Sequence, residues 1–126
     1  MTLAETERLG NILRAKRAEI SGALRYRDEI VIEKASDSLD EVQQMGEREL
    51  AIRNLDRDTG MLRQIRLALS RIESGDYGVC LQCDEEISPK RMAAVPWAAF
   101  CIRCQEKIDR REIAVDENME VLAPAA

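Results

Sequence analysis

Apolar residues along the first quarter of the chain recur in steps compatible with one helical face. Leu9, Leu13, Ile20, Leu24 and Val31 fall on one stripe, with Lys16 and Arg27 at intervening seam positions, and no proline interrupts the run from Leu3 to about Lys34. This spacing predicts an amphipathic helix. Gly10 and Gly22 lie inside it, each weakening it by about 1 kcal/mol relative to Ala where solvent-exposed. The pattern breaks from Ala35 to Asp40, where Ser36, Asp37, Ser38 and Asp40 are turn formers and helix N-caps. Ser38 followed by Glu41 has capping-box spacing. A second stripe then reads Val42, Met45, Ile52, Leu55, Leu62, Ile65, Leu69 and Ile72, with Glu49 and Thr59 as its polar exceptions. It predicts a helix from about Leu39 to about Glu73, ended by Gly75 with Asp76 in the turn. Two helices of similar length joined by a short turn pack antiparallel. At roughly 32 residues each, they make a hairpin roughly 48 Å long.

Beyond the hairpin, residues 76–104 hold all four cysteines, and residues 105–115 read as a short helix. Ile108 and Ile113 are its candidates for packing back on the hairpin base. From Asp116 to Ala126 the periodicity weakens and Pro124 appears, so a frayed tail is expected. The expected organisation is a coiled-coil hairpin over 1–75 with its tip at about 35–42, a zinc-finger unit with its C-terminal helix over 76–115, and a tail over 116–126. The fold class is mainly α: a long antiparallel two-helix coiled-coil hairpin, a C-terminal four-Cys zinc knuckle and a short C-terminal helix.

Composition agrees with narrow helix seams more than with a large globular core. Only 3% of the 126 residues are aromatic, and three of the four (Tyr77, Trp97, Phe100) lie around the cysteines, away from Tyr26. No run of 18 apolar residues exists, so no membrane span is expected. Met1 to Gly10 is polar and lacks the apolar core of a secretory signal. A cytoplasmic location is therefore expected, where cysteine pairs usually bind metal or do redox work.

The net charge of −5 argues against general affinity for nucleic acid. The charge is uneven. Residues 1–27 carry six basic and three acidic side chains (+3), residues 28–49 two and eight (−6), residues 50–75 five and three (+2), and residues 76–126 six and ten (−4). The acidic block would sit at the far tip of the hairpin.

Cys80, Cys83, Cys101 and Cys104 are spaced C-x2-C-x17-C-x2-C. Two residues between cysteines let both sulfurs of a pair face one tetrahedral ion, and the long spacer lets two pairs converge. Four thiolates would hold one zinc ion and leave no position for water, which makes the site structural. The chain has no His, so the usual general base is absent. Two disulfides, a dithiol redox pair and an iron site of the rubredoxin type are the competing readings; the thiolates accept iron as well. Asp84 follows the first pair where many zinc knuckles have Gly at positive φ, a conformation Asp tolerates better than most residues.

At the tip, Asp37 and Asp40 lie three apart across the turn. They either cap the second helix, where a carboxylate is favourable, or are presented by the hairpin to a buried site elsewhere, to meet Mg2+ or basic side chains. With no catalytic partner in sight, they do not suggest an enzyme.

Together these residues resemble the DksA/TraR family of bacterial RNA polymerase regulators. The resemblance is carried by Tyr77-Gly78-x-Cys80-x-x-Cys83, Ile87, Arg91-Met92, Ala94, Pro96, Ala98 and Cys101-x-x-Cys104-Gln105. Ile52 to Asp58 is similar to the family's second coiled-coil helix, and counting back from Asn54 places Asp37 and Asp40 on its tip motif D-x-x-D-x-A. The resemblance implies that the zinc base docks at the rim of the polymerase secondary channel and that the hairpin enters it. The tip aspartates would then alter promoter complexes without sequence-specific DNA binding. It also implies that Arg57 and Met61 could face the polymerase rim. Val42 stands where the motif has alanine, a larger and β-branched side chain. The positions that are basic in members responsive to guanosine tetraphosphate fall on Gln64, Val95 and Gln105, none of which pairs with phosphate as a cation, so synergy with that nucleotide is doubtful.

The alternatives are a zinc-braced coiled-coil adaptor and a nucleic-acid-binding zinc ribbon, the latter drawing on Arg63, Arg66 and Arg71 for basic surface. Trp97 and Phe100, between the cysteine pairs, are expected to pack the small metal unit.

Overall fold

The computed structural model describes residues 1–34, 41–116 and 119–120, without the side chains of residues 26–34 and 41–44. Among these residues four helices follow in this order: α1 (Leu3–Lys34), α2 (Glu41–Ser74), α3 (Pro89–Ala94) and α4 (Ile102–Asp109). An isolated antiparallel β-bridge joins Val79 and Glu86.

α1 opens with a capping box that the sequence reading had not picked out. Glu5 N–H donates to Thr2 Oγ1 at 3.1 Å, and Thr2 N–H donates to Glu5 Oε2 at 3.0 Å. α2 ends as its glycine predicts. Gly75 takes φ 84, Asp76 N–H donates to the Arg71 carbonyl at 2.9 Å, and Gly75 N–H donates to the Ile72 carbonyl at 3.4 Å. This pair of bonds is a Schellman motif, and it turns the chain toward the cysteines.

The two long helices pack around Leu13, Ile20, Leu62, Ile65, Ala68 and Leu69, with Leu24, Met61 and Ile72 partly buried beside them. This core occupies the base half of the hairpin. Met45 and Ile52, expected in the seam, are 66% and 55% exposed, and Leu50 is 60% exposed. The reason is geometric: a lone helix pair covers a narrow stripe, and burial deepens only where a third element closes over it. At the base Tyr77 and Trp97 supply that closure. The turn at Ser36–Ser38, the Ser38–Glu41 capping box and the aspartates Asp37 and Asp40 lie outside the described residues or side chains, as does the Val42 side chain.

A second cluster joins Leu9 of α1 to Ile87, Met92, Ala98, Ala99 and Phe100, together with Cys80 and Cys104. Tyr77 packs against both clusters. α3 was not foreseen, although its signals are present. Ser88 caps it, accepting the Arg91 N–H at 3.2 Å, and Pro89 takes its first turn. α4 begins earlier and stops sooner than the expected 105–115. It closes on Arg111 at φ 62, with Glu112 N–H donating to the Lys107 carbonyl at 2.8 Å. Ile108, Val115 and Met119 all pack against this second cluster, which joins the cysteine unit to Leu9 at the hairpin base. Ile113 is half-buried but outside both clusters. No helix is long and apolar enough to cross a membrane among the described residues.

Candidate functional site

The first cysteine pair sits in a tight turn closed by backbone bonds. Cys80 N–H donates to the Glu85 carbonyl at 2.8 Å, and Asp84 N–H donates to the Cys80 carbonyl at 3.0 Å. Asp84 adopts φ 59, the left-handed conformation anticipated at this position. Ile87 N–H then donates to the Gly78 carbonyl at 2.8 Å, fixing the antiparallel arms of the turn. The second pair is carried by α4: Cys101 is its N-cap residue and Cys104 lies in its first turn. Leu81 N–H donates to the Ala99 carbonyl at 2.9 Å and holds the two pairs together.

The four sulfurs lie within 4.8 Å of one another. Cys83 Sγ and Cys101 Sγ are 3.8 Å apart. A disulfide would need about 2.05 Å, and all four cysteines are free. Tetrahedral zinc with Zn–S bonds of about 2.3 Å has sulfurs about 3.8 Å apart, so the arrangement fits one zinc ion. Cys80 and Cys104 are buried, Cys101 is partly covered and Cys83 is exposed.

The electrostatics also call for a cation. Burial opposes ionisation of Cys80, but the backbone groups of Cys101, Cys83 and Gln82 directed at its sulfur outweigh it and bring the thiol down to about 7. Burial, reinforced by the sulfurs of Cys101 and Cys80, pushes the Cys104 thiol up. Four thiols this close cannot all ionise unaided, and a bound dication removes that conflict by deprotonating its ligands.

Three supporting residues stand out. Arg71 is only 7% exposed. Its Nη2 donates to the carbonyl of Asp76 at 2.8 Å and to the carbonyl of Val79. Burial lowers its pKa, while Asp76, Cys80 and Tyr77 act in the opposite sense. This burial removes Arg71 from the basic surface considered for nucleic acid. Its proximity to Asp76 was the available signal, but one acidic neighbour does not distinguish a buried arginine from an exposed one. Arg91 Nε donates to the Phe100 carbonyl at 3.0 Å, and Tyr77 donates to the Pro96 carbonyl at 2.8 Å. Phe100 is 1% exposed and Trp97 packs against the hairpin core, in keeping with their expected packing roles.

Among the other residues singled out, Arg57 is exposed and pairs with Asp58 at 3.8 Å, while Met61 packs against the hairpin core. Gln64, Val95 and Gln105, far apart in sequence, line a single cavity of about 310 Å³. Trp97, Phe100, Ile108, Val115 and Met119 are among its apolar walls, and Arg91 is the only basic residue among the described residues that line it.

Residues 75–110 match the prokaryotic dksA/traR C4-type zinc finger. The RNA polymerase-binding transcription factor DksA of Haemophilus influenzae is 36% identical over 76 residues, 60% of this chain and 52% of that protein. The Escherichia coli protein of the same name is also 36% identical over 76 residues, 60% of this chain and 50% of the relative. The match thus spans about half the length of these curated relatives. Among solved structures, transcription factor DksA2 from Pseudomonas aeruginosa aligns with TM-score 0.76 at 26% identity, covering 89% of this chain and 88% of that one. The DnaK suppressor protein of Agrobacterium tumefaciens aligns at 30% identity with TM-score 0.50, covering 79% and 90%. With one structural zinc in a C4-type finger at the base of a helical hairpin, the chain belongs to the DksA/TraR family.

Proposed function

We propose that the protein is a non-enzymatic transcription regulator that binds RNA polymerase directly. In this reading the zinc-braced base docks at the rim of the secondary channel, and the hairpin carries Asp37, Asp40 and Val42 into it. Cys80, Cys83, Cys101 and Cys104 hold the zinc, while Arg57 and Met61 contribute to the docking surface. The observation that carries the reading is the shared architecture. A hairpin of 32- and 34-residue helices rises from a four-sulfur base, and it aligns over 89% of the chain with a DksA2 transcription factor. The relatives named RNA polymerase-binding support the choice of partner.

Transcription in vitro with the cognate polymerase tests this. Addition of the protein should change initiation at responsive promoters. Asp37→Asn with Asp40→Asn should keep polymerase binding and lose the effect. Regulation that survives the double change would overturn the tip mechanism, and failure to bind polymerase would overturn the reading as a whole.

Among the described residues, the cavity lined by Gln64, Val95 and Gln105 has one cation, Arg91. A polyphosphate needs several cationic donors, so weak or absent synergy with guanosine tetraphosphate is expected. A normal synergistic shift in the same assay would contradict this.

A further inference from the structure

We infer that the hairpin carries a bend point at the level of Gly22 and Gly60, where each helix lacks a side chain at the same distance from the base. The register follows from a contact nearer the base. A Cβ placed on Gly10 would lie 3.5 Å from Ile72 Cδ1, so residues 10 and 72 are abreast. Twelve residues farther along each antiparallel helix, about 18 Å at 1.5 Å per residue, Gly22 of α1 meets the level of Gly60 of α2. Ile20 and Leu62, one step toward the base in the same register, share the buried hairpin core.

Neither glycine has a steric or conformational reason to be there. A Cβ on Gly22 or Gly60 would meet nothing within 4 Å. Both are helical, and neither is among the positive-φ glycines, Gly75 and Gly78. Gly78 differs on both counts, with φ 88 and Met1 Cε 3.3 Å from its would-be Cβ. Alanine would therefore fit at residues 22 and 60 and favour each helix. Gly46 is equally open, but the residues abreast of it lie outside the described part of the chain.

Packing changes at the same level. On the base side Leu13, Ile20, Leu62 and Ile65 are no more than 7% exposed. On the far side Leu55 is only half-buried, and Ile52, Leu50 and Met45 are 55%, 60% and 66% exposed. Glycine permits the backbone departures that bend a helix. Glycines at one level of both helices put that backbone freedom at the same point of the hairpin. The base, sealed by the cysteine unit, stays stiff while the far half pivots. The inference does not depend on the partner; if the hairpin enters a channel, this pivot sets the angle of its tip.

Amide residual dipolar couplings on the full-length, zinc-loaded protein test the bend directly. Residues 47–57 of α2 should show a smaller alignment magnitude than residues 61–73, as a segment moving on its own does. Gly22→Ala with Gly60→Ala should raise the outer magnitude to that of the base. Gly46→Ala, which gains similar helix propensity beyond the proposed level, should leave residues 47–57 unchanged. Equal magnitudes in the unmodified protein would overturn the inference. So would equal stiffening by Gly46→Ala, which would reduce the effect to helix propensity.

Discussion

Tyr77 donates its phenolic hydrogen to the carbonyl of Pro96 at 2.8 Å, and its ring packs against both apolar clusters. This bond ties the end of the hairpin to the loop between α3 and α4. Tyr77→Phe keeps the ring and removes the bond. It should destabilise the zinc-loaded protein by about 1 kcal/mol, read from urea denaturation. A change of less than a few tenths would mean that the Pro96 carbonyl is satisfied by water instead.

The same phenol should show a pH signature. Burial pushes Tyr77 up to about 12 from its ordinary 10, with Arg71 pulling weakly the other way. The folded state holds this proton more tightly than the unfolded chain. Its contribution to stability is therefore complete below pH 10 and is lost as pH rises toward about 12. Stability should fall through that window, and Tyr77→Phe should lack this part of the fall. Phenolate absorbance followed in both proteins checks the assignment; a Tyr77 that ionises at its ordinary pH would contradict it.

Arg71 offers a sharper test of the junction between hairpin and cysteine unit. Its buried guanidinium serves the carbonyls of Asp76 and Val79. Arg71→Met retains bulk but leaves both acceptors unpaired, and should cost about 2–3 kcal/mol. Arg71→Lys should recover only part of this, because an ammonium cannot reproduce the planar fork. Equal stability of the Arg and Met proteins in denaturant melts would show that the carbonyls find other donors.

The unequal burial of the seam predicts unequal mutational costs. Leu13 is 0% exposed and Ile52 is 55% exposed, although both belong to apolar stripes of the sequence. Leu13→Ala should cost about 2–5 kcal/mol, whereas Ile52→Ala should fall within about 0.5 kcal/mol. Circular dichroism melts of the two variants compare them; similar losses would indicate that the far seam is packed in solution.

Zinc should be bound at one ion per chain, measured by native mass spectrometry. Cys83 is the exposed member of the set, so Cys83→Ser tests the metal with the least disturbance of the core. Structural zinc contributes roughly 10–16 kcal/mol in small finger peptides at neutral pH. Loss of the ion should therefore melt the cluster that contains Cys80, Cys104 and Phe100, visible as lost near-ultraviolet signal from Trp97. Retention of one zinc and a native signal in Cys83→Ser would show that three sulfurs suffice.

Local rules determined a large part of this protein. The three- and four-residue spacing located α1 at Leu3–Lys34, because helical periodicity is a property of neighbours along the chain. Gly75 marked the end of α2, because only the left-handed region suits that position. The C-x2-C pairs announced a metal centre, and Asp84 took the turn conformation its place in the motif demanded. α4 was overrun in the sequence reading because its stop, Arg111 at φ 62, carries none of the glycine signal that normally marks one. Tertiary structure alone decided the rest. Arg71 is buried because the chain after Gly75 folds back and aims the carbonyls of Asp76 and Val79 at it. Met45 and Ile52 share a stripe with Leu62 and Ile65 yet stay exposed, because no third element covers them as Tyr77 and Trp97 cover the base. Gln64, Val95 and Gln105 line one cavity only after α2, the α3–α4 loop and α4 have packed. Periodicity says which face of a helix can be buried; what covers that face depends on residues far away in sequence.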